Sequence, residues 1–170
     1  MKDFIFALAA EEDRREILAL YRSLAGTECC AWTEDYPGEA DVENDLSRGD
    51  LFCLKDADGT LVGAISIDRD EEVGKLPCWD EALSPAGELA RLGVNRAYQN
   101  RGIARLLLWH GMEELRRRGC KGVRFLVCKT NTRAERSYAK LHFNVVGECS
   151  LFGEEWWCYE KALKPDLPSL

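Results

Sequence analysis

Apolar positions along the chain change period several times, and each change marks an element. Residues 4–8 form a short apolar run of strand type, and within 11–24 Ile17, Leu18, Leu20, Tyr21 and Leu24 recur at helical spacing until Gly26. Residues 32–38 are acidic and aromatic, of loop type, and a short helix follows at about 40–47. Two strands, 51–55 and 61–67, flank Asp56-Ala57-Asp58-Gly59, whose Asp-Gly step predicts an antiparallel hairpin. From 68 to 85 the chain carries charges, Gly74, Pro77 and Pro85 without a period, which predicts a long loop of the kind that often carries function.

Beyond the loop, 87–94 is strand-like and 103–118 is helical, with Ile103, Ala104, Leu107, Leu108, Gly111, Met112 and Leu115 on one arc. Arg105, Trp109, Glu113 and Arg116 take the other side, which leaves His110 near the polar boundary as a surface residue. Arg116, Arg117 and Arg118 complement the helix C-terminus, and Gly119 suits the residue just past it. A buried-type strand at 123–128 completes strand, helix, strand, which implies a right-handed parallel crossover. A helix at 132–141 and strands at 145–151 and 156–161 around Gly153 finish the pattern. The expectation is an α/β fold with a mixed sheet, one domain over 1–163 and a C-terminal tail at 164–170.

Hydrophobic residues make up 46% and charged residues 31% of the 170, an ordinary globular balance that excludes disorder as the main state. Lys+Arg 23 against Asp+Glu 30 gives a net charge of -7, which argues against a nucleic-acid surface and is compatible with cationic partners. No apolar run approaches the roughly 20 residues of a membrane span, and the run at 4–10 is short for a signal segment and flanked by Asp3. The eight cysteines include no C-x-x-C pair and have only two histidines to assist them, so no metal site is expected. Several lie in apolar strands, which predicts reduced, buried thiols in a cytoplasmic protein.

The stretch with the most chemistry is 95–104, between the central strand and its helix. A strand feeding a glycine-containing turn that opens a helix aims unpaired N–H groups and the positive helix end at one spot, a cradle for an anion. Gly102 and Ala104 leave the backbone uncovered, while Gln99, Asn100 and Arg101 offer further donors. A tight strand-to-helix connection would use the same residues. Neither P-loop nor dinucleotide glycine spacing is present.

Gln99-x-x-Gly102-x-Ala104 resembles the Q/R-x-x-G-x-G/A signature of the GNAT superfamily of N-acyltransferases, and Asn131-x-x-Ala134-x-x-x-Tyr138-x-x-Leu141-x-Phe143 resembles the second half of that family's acyl-CoA site. The resemblance implies a sheet of about seven strands splayed between the fourth and fifth, with the pantetheine arm of acetyl-CoA in the gap. Backbone groups of Leu92 and Val94 would pair with pantetheine, and N–H groups from Arg101 through Ile103 to Ala104 would hold the pyrophosphate. The implied activity is transfer of an acetyl group to a primary amine in a ternary complex, with Tyr138 as acid and Glu88 as base. A non-catalytic acyl-CoA-binding regulatory module is the competing reading, and a homodimer is left open.

Each implied role has a plainer alternative. Tyr138 fits a core tyrosine, Asn131 a helix cap as well as a cofactor ligand, and Glu88 a solvated strand end. Strict alternation would put Glu88, Ala90, Leu92 and Val94 on one face with Arg91 opposite, unless a bulge intervenes. His142 stands where the family commonly has glycine, which puts the end of that helix in question. Of Trp156 and Trp157, one ring on each face is expected. Trp32, Glu34, Asp35, Tyr36, Glu39, Asp41, Glu43 and Asp45 suggest an acidic, aromatic wall for a cationic amine, or an ordinary surface loop.

Overall fold

The computed structural model describes residues 3–28 and 30–164. Their alternating and helical stretches become, in chain order, β1 (Ile5–Leu8), α1 (Arg14–Leu24), α2 (Glu39–Ser47), β2 (Leu51–Lys55), β3 (Leu61–Asp68), the single turn α3 (Glu71–Gly74), β4 (Ala86–Val94), α4 (Ile103–Arg117), β5 (Gly122–Cys128), α5 (Thr132–Ala139), β6 (Asn144–Leu151) and β7 (Glu154–Ala162). The tail beyond Lys164 and Cys29 lie outside the described residues; the seven other cysteines are free thiols.

Boundaries differ from the periodic reading where a side chain redirects the backbone. Residues 11–13 are a 3-10 turn, not α-helix, because Asp13 turns its carboxylate back to accept from the Ala10 N–H at 2.8 Å. The loop after β3 contains α3 and a second short turn, Glu81–Leu83, each started by an aspartate: Asp70 accepts from Val73 N and Asp80 from Ala82 N. Such caps leave no apolar period to read.

All seven strands form one sheet in the order β1-β2-β3-β4-β5-β7-β6. Neighbours pair antiparallel except β4 and β5, whose crossover through α4 makes them parallel. That parallel pairing covers only Ala86↔Gly122, Gly87↔Val123 and Glu88↔Arg124. Past Glu88 the two strands separate, and each continues with one edge unpaired against the other. On one face α1 and α2 bury Ile17, Tyr21, Leu24 and Val42 against Leu51, Cys53 and Ala64. On the other, Leu107, Leu108, Met112 and Leu115 of α4 pack on Ile65, Leu89 and Val123, and Tyr138 of α5 joins Phe125, Phe143 and Tyr159.

One histidine departs from the sequence expectation. His110 is half-buried and not a surface residue, stacked on Phe6 of β1 with ring centroids 4.4 Å apart, and burial lowers its pKa. His142 adopts φ +59, the left-handed backbone that ends α5, which is the physical reason glycine suits this position. We expect His142→Gly to stabilise the fold by about 0.5–1 kcal/mol, raising Tm by roughly 1–4 °C. Thermal unfolding at fixed pH checks this, and an unchanged or lower Tm would mean that the imidazole makes compensating contacts.

Candidate active site

Where β4 leaves β5 it also bulges. Ser66 pairs with Ala90 but Ala64 pairs with Gly93, so β4 carries one extra residue there, and Arg91 takes φ +48. The bulge ends the alternation that would have kept Glu88, Ala90, Leu92 and Val94 on one face. Glu88 and Ala90 lie opposite Asp68 and Ser66, and Ser66 Oγ donates to Asp45 of α2 at 2.7 Å. Val94 lies opposite Gly63, whose Cα side faces Leu107 and Ile103 of α4. Leu92 packs against the α4 core as well.

Arg91 does not alternate away from Glu88. Its guanidinium reaches Asp45 through Nε at 2.8 Å and Nη2 at 2.9 Å, and Asp68 through Nη1 at 2.8 Å, while Nη1 also donates to Tyr36 Oη at 3.2 Å. With side-chain exposures of 7% for Arg91 and 2% for Asp45, the pair is a desolvated, bidentate fork and not a surface contact. Arg48 closes the other side of Asp45 at 2.7 Å. The sequence signal for this cluster was a lone arginine inside an apolar strand.

Glu88 is buried beside this cluster. Burial raises its pKa to about 8, helped by the nearby Asp68 and Asp70 carboxylates, while the Asp70 backbone N–H and Arg91 pull the other way. Its carboxyl thus titrates close to neutral pH, the property a general base needs. Tyr138 is buried too, edge-on to Phe125 at 5.0 Å, with no hydrogen-bond partner for its hydroxyl among the described residues. Burial raises its pKa, so the phenol stays protonated and can donate.

The turn after β4 is shaped by its own side chains. Asn95 accepts from Ala97 N and donates to Leu61 O, both at 3.0 Å. Gln99 donates to Val94 O and accepts from Arg133, both at 3.2 Å, so its amide braces the loop and does not stand free for an anion. Asn100 and Gly102 take φ +61 and +80, and Leu106 N is the first N–H to close an α4 turn, on Gly102 O. The N–H groups of Ile103, Ala104 and Arg105 therefore have no acceptor within the helix. Arg101 turns aside over the Tyr98 ring, 5.5 Å from its centroid. Asn131 caps α5 by accepting from Ala134 N at 3.1 Å.

One cleft of about 1130 Å³ joins these groups. Gln99, Asn100, Gly102, Ile103 and Ala104 line it, together with Arg96, Arg105 and Arg133, which sequence reasoning had not singled out. Leu92, Val94, Asn131, Tyr138 and Glu88 line it as well. Arg101 does not. Of the eight acidic and aromatic residues named in the 32–45 segment, Trp32, Tyr36, Asp41 and Asp45 reach the cleft. Asp45 is held by Arg91 and Arg48, Asp41 accepts from Gly38 N, and Glu43 pairs with Arg14. Glu34 and Asp35 are exposed and lie outside it. Trp156 lines the cleft, whereas Trp157 points to the opposite face and donates to Glu135 of α5 at 2.8 Å.

Residues 14–143 match the family model of the GNAT family acetyltransferases. The chain belongs to the GNAT acetyltransferase family. Relatives of this GNAT chain include an acetyltransferase of Pectobacterium atrosepticum, 27% identical over 68% of this chain and 73% of that one. A mycothiol acetyltransferase of Nocardia farcinica is 42% identical over 35% of this chain but only 20% of its own length. Among solved structures, a GNAT family acetyltransferase of Listeria monocytogenes superposes with TM-score 0.75 at 21% identity, covering 94% of this chain and 95% of that one. A structure from Salmonella typhimurium containing its cofactor acetyl-CoA superposes with TM-score 0.73 at 17% identity, covering 98% of both chains.

The residues of this GNAT chain fit acetyl-CoA as co-substrate. Free N–H groups at a helix N-terminus, in a cleft that Arg96, Arg105 and Arg133 also line, suit a pyrophosphate. The edge of β4 beyond Glu88 has lost its strand partner, which suits an amide-bearing arm laid along it.

Proposed function

We propose that this GNAT acetyltransferase transfers an acetyl group from acetyl-CoA to a primary amine by direct attack in a ternary complex. The observation that carries the reading is that Glu88 and Tyr138, from β4 and α5, line one cleft at the splay of the sheet. The amine nitrogen attacks the thioester carbonyl while Glu88 takes up the proton that the nitrogen must lose. As the C–S bond breaks, the Tyr138 hydroxyl donates its proton to the departing thiolate. Holding both substrates in one rigid cleft supplies the remaining advantage through proximity.

The acceptor is a cationic amine. Asp70 and Glu154 line the cleft beside Trp32, Tyr36 and Trp156, while Arg91 and Arg48 are held by Asp45, Asp68 and Asp50. An ammonium group entering there can pair with a carboxylate and lie against an aromatic face.

Titration calorimetry with acetyl-CoA, ATP as comparator, followed by a thiol-release screen over amines, tests the reading as a whole. Saturable acetyl-CoA binding without turnover of any amine would favour the non-catalytic module. Tyr138→Phe is expected to keep acetyl-CoA affinity and lower kcat about 10²-fold; unchanged kcat would remove Tyr138 from the reaction. Neutralising Glu34 and Asp35 together is expected to leave the amine KM within about twofold, since exposed charges outside the cleft are screened. A large rise in KM would place Glu34 and Asp35 themselves in the acceptor site.

A further inference from the structure

We propose that Arg91 and Asp68 are positioning residues for Glu88: their ion pair sets the charge that faces its carboxyl and ties the base to the acceptor wall at Tyr36. The inference rests on the reading of Glu88 as the base. Asp68 and Glu88 are directly opposed on β3 and β4. Side chains so placed on antiparallel strands have Cβ atoms only about 4.5–5.5 Å apart, and two carboxylates at that spacing oppose each other's ionisation. Arg91 sits three residues further along β4 and would be carried off by regular pleating. The bulge and its left-handed backbone, φ +48, instead bring Nη1 within 2.8 Å of Asp68 Oδ2. A non-glycine residue held in that conformation is an outlier that surrounding contacts must sustain, and here the Asp45 fork does so.

The other charged groups packed around this point leave Arg91 as the compensating charge. Asp70, from the loop after β3, adds negative charge and turns its backbone N–H to Glu88. Arg48 of α2 is held by Asp45 and Asp50, at 2.7 and 3.0 Å. Arg124, the β5 neighbour of Glu88, lies over the Trp79 ring, 5.4 Å from its centroid, and opposite Glu160 of β7, so the positive charge that opposes Asp68 and Asp70 at Glu88 is that of Arg91. Tyr36 Oη accepts from the same Nη1 that holds Asp68, so the acceptor wall and the base share one anchor.

Charge logic gives the two partners opposite signs, which a merely structural pair would not. Asp68→Asn removes a negative neighbour and frees Arg91, so Glu88 should titrate lower by about one pH unit. Arg91→Gln removes the positive charge and bares Asp68, so Glu88 should titrate higher. The measurement is a carbon-13 NMR titration of the carboxyl groups in protein labelled at glutamate, with the Glu88 resonance identified by its loss in Glu88→Gln. It requires no acceptor. The pH profile of kcat/KM, run with whichever amine the thiol-release screen identifies, should move with it. If Arg91→Gln does not fold, Asp68→Asn decides alone. A Glu88 titration unmoved in Asp68→Asn overturns the proposal even where Glu88 is the base. A titration that moves as expected while Glu88→Gln turns over at the wild-type rate removes the base assignment instead, and with it any bearing of the pair on the reaction.

Discussion

Glu88→Gln is expected to lower kcat by about two to three orders of magnitude, the usual loss when a positioned general base is removed. Glutamine keeps the shape and the hydrogen-bonding reach of the side chain but cannot accept the amine proton. In the wild type, Glu88 is protonated below a pKa of about 8, so kcat/KM should climb roughly tenfold per pH unit up to that point and then level. The acceptor's own ammonium group adds a limb that wild type and variant share, so the difference between the two profiles isolates Glu88. A variant profile that parallels the wild type through pH 8, at comparable rate, would take Glu88 out of the reaction.

The same burial gives an independent readout in stability. A carboxyl whose pKa is raised on folding binds its proton more tightly in the native state than in the unfolded chain. Its contribution is full below the unfolded pKa, near 4.5, and is lost as pH rises through about 8. Glu88→Gln carries no such proton. Its Tm relative to wild type should therefore rise progressively between those pH values, so the variant is less active and, at pH 8, more stable. Stability–activity opposition of this kind marks a group buried for function.

Ala104→Glu is expected to weaken acetyl-CoA binding at least about a hundredfold while leaving the fold intact. Position 104 lies in the first turn of α4 and lines the cleft. A carboxylate there is favourable to the helix itself, worth about 0.3–1 kcal/mol against the positive end of its dipole. Toward a pyrophosphate it is repulsive, by about 1 kcal/mol per charge at 4 Å in water and about 4 kcal/mol near a protein surface. It would also occupy the N–H groups the phosphate oxygens need. Calorimetric titration against a Tm that is unchanged or raised separates lost binding from lost folding. Wild-type affinity in this variant would place the pyrophosphate elsewhere and return the 99–104 turn to a mere connection.

Much of the architecture was legible in local pattern. Helical spacing at Ile17–Leu24 and Ile103–Leu115, alternation or apolar runs at the strands, and the Asp-Gly hairpin step each depend on residues a few positions apart, so periodicity reports them directly. Likewise the turn from Gln99 to Ala104 opens α4 because Gly102 accepts a left-handed backbone, a preference written in one residue. The histidine at 142 was visible as an oddity, and the left-handed backbone it adopts is the reason. By contrast, the acidic segment looked like a binding wall because composition carries no direction. Half of the eight side chains named there lie outside the cleft, and Asp41 and Asp45 are spent on a helix cap and on two arginines.

What the sequence by itself determined is the order of elements, the parallel crossover through α4 and the two motifs that place this chain among the GNAT acetyltransferases. Only the tertiary structure decided which charges meet. Asp45 and Arg91 are 46 residues apart, and Asp68 faces Glu88 through a strand register that a single extra residue in β4 then shifts. Electrostatic interaction and desolvation depend on distance and burial, not on separation along the chain. The Glu88 carboxyl therefore titrates near neutral pH only once the sheet has brought two aspartates beside it and closed it off from water.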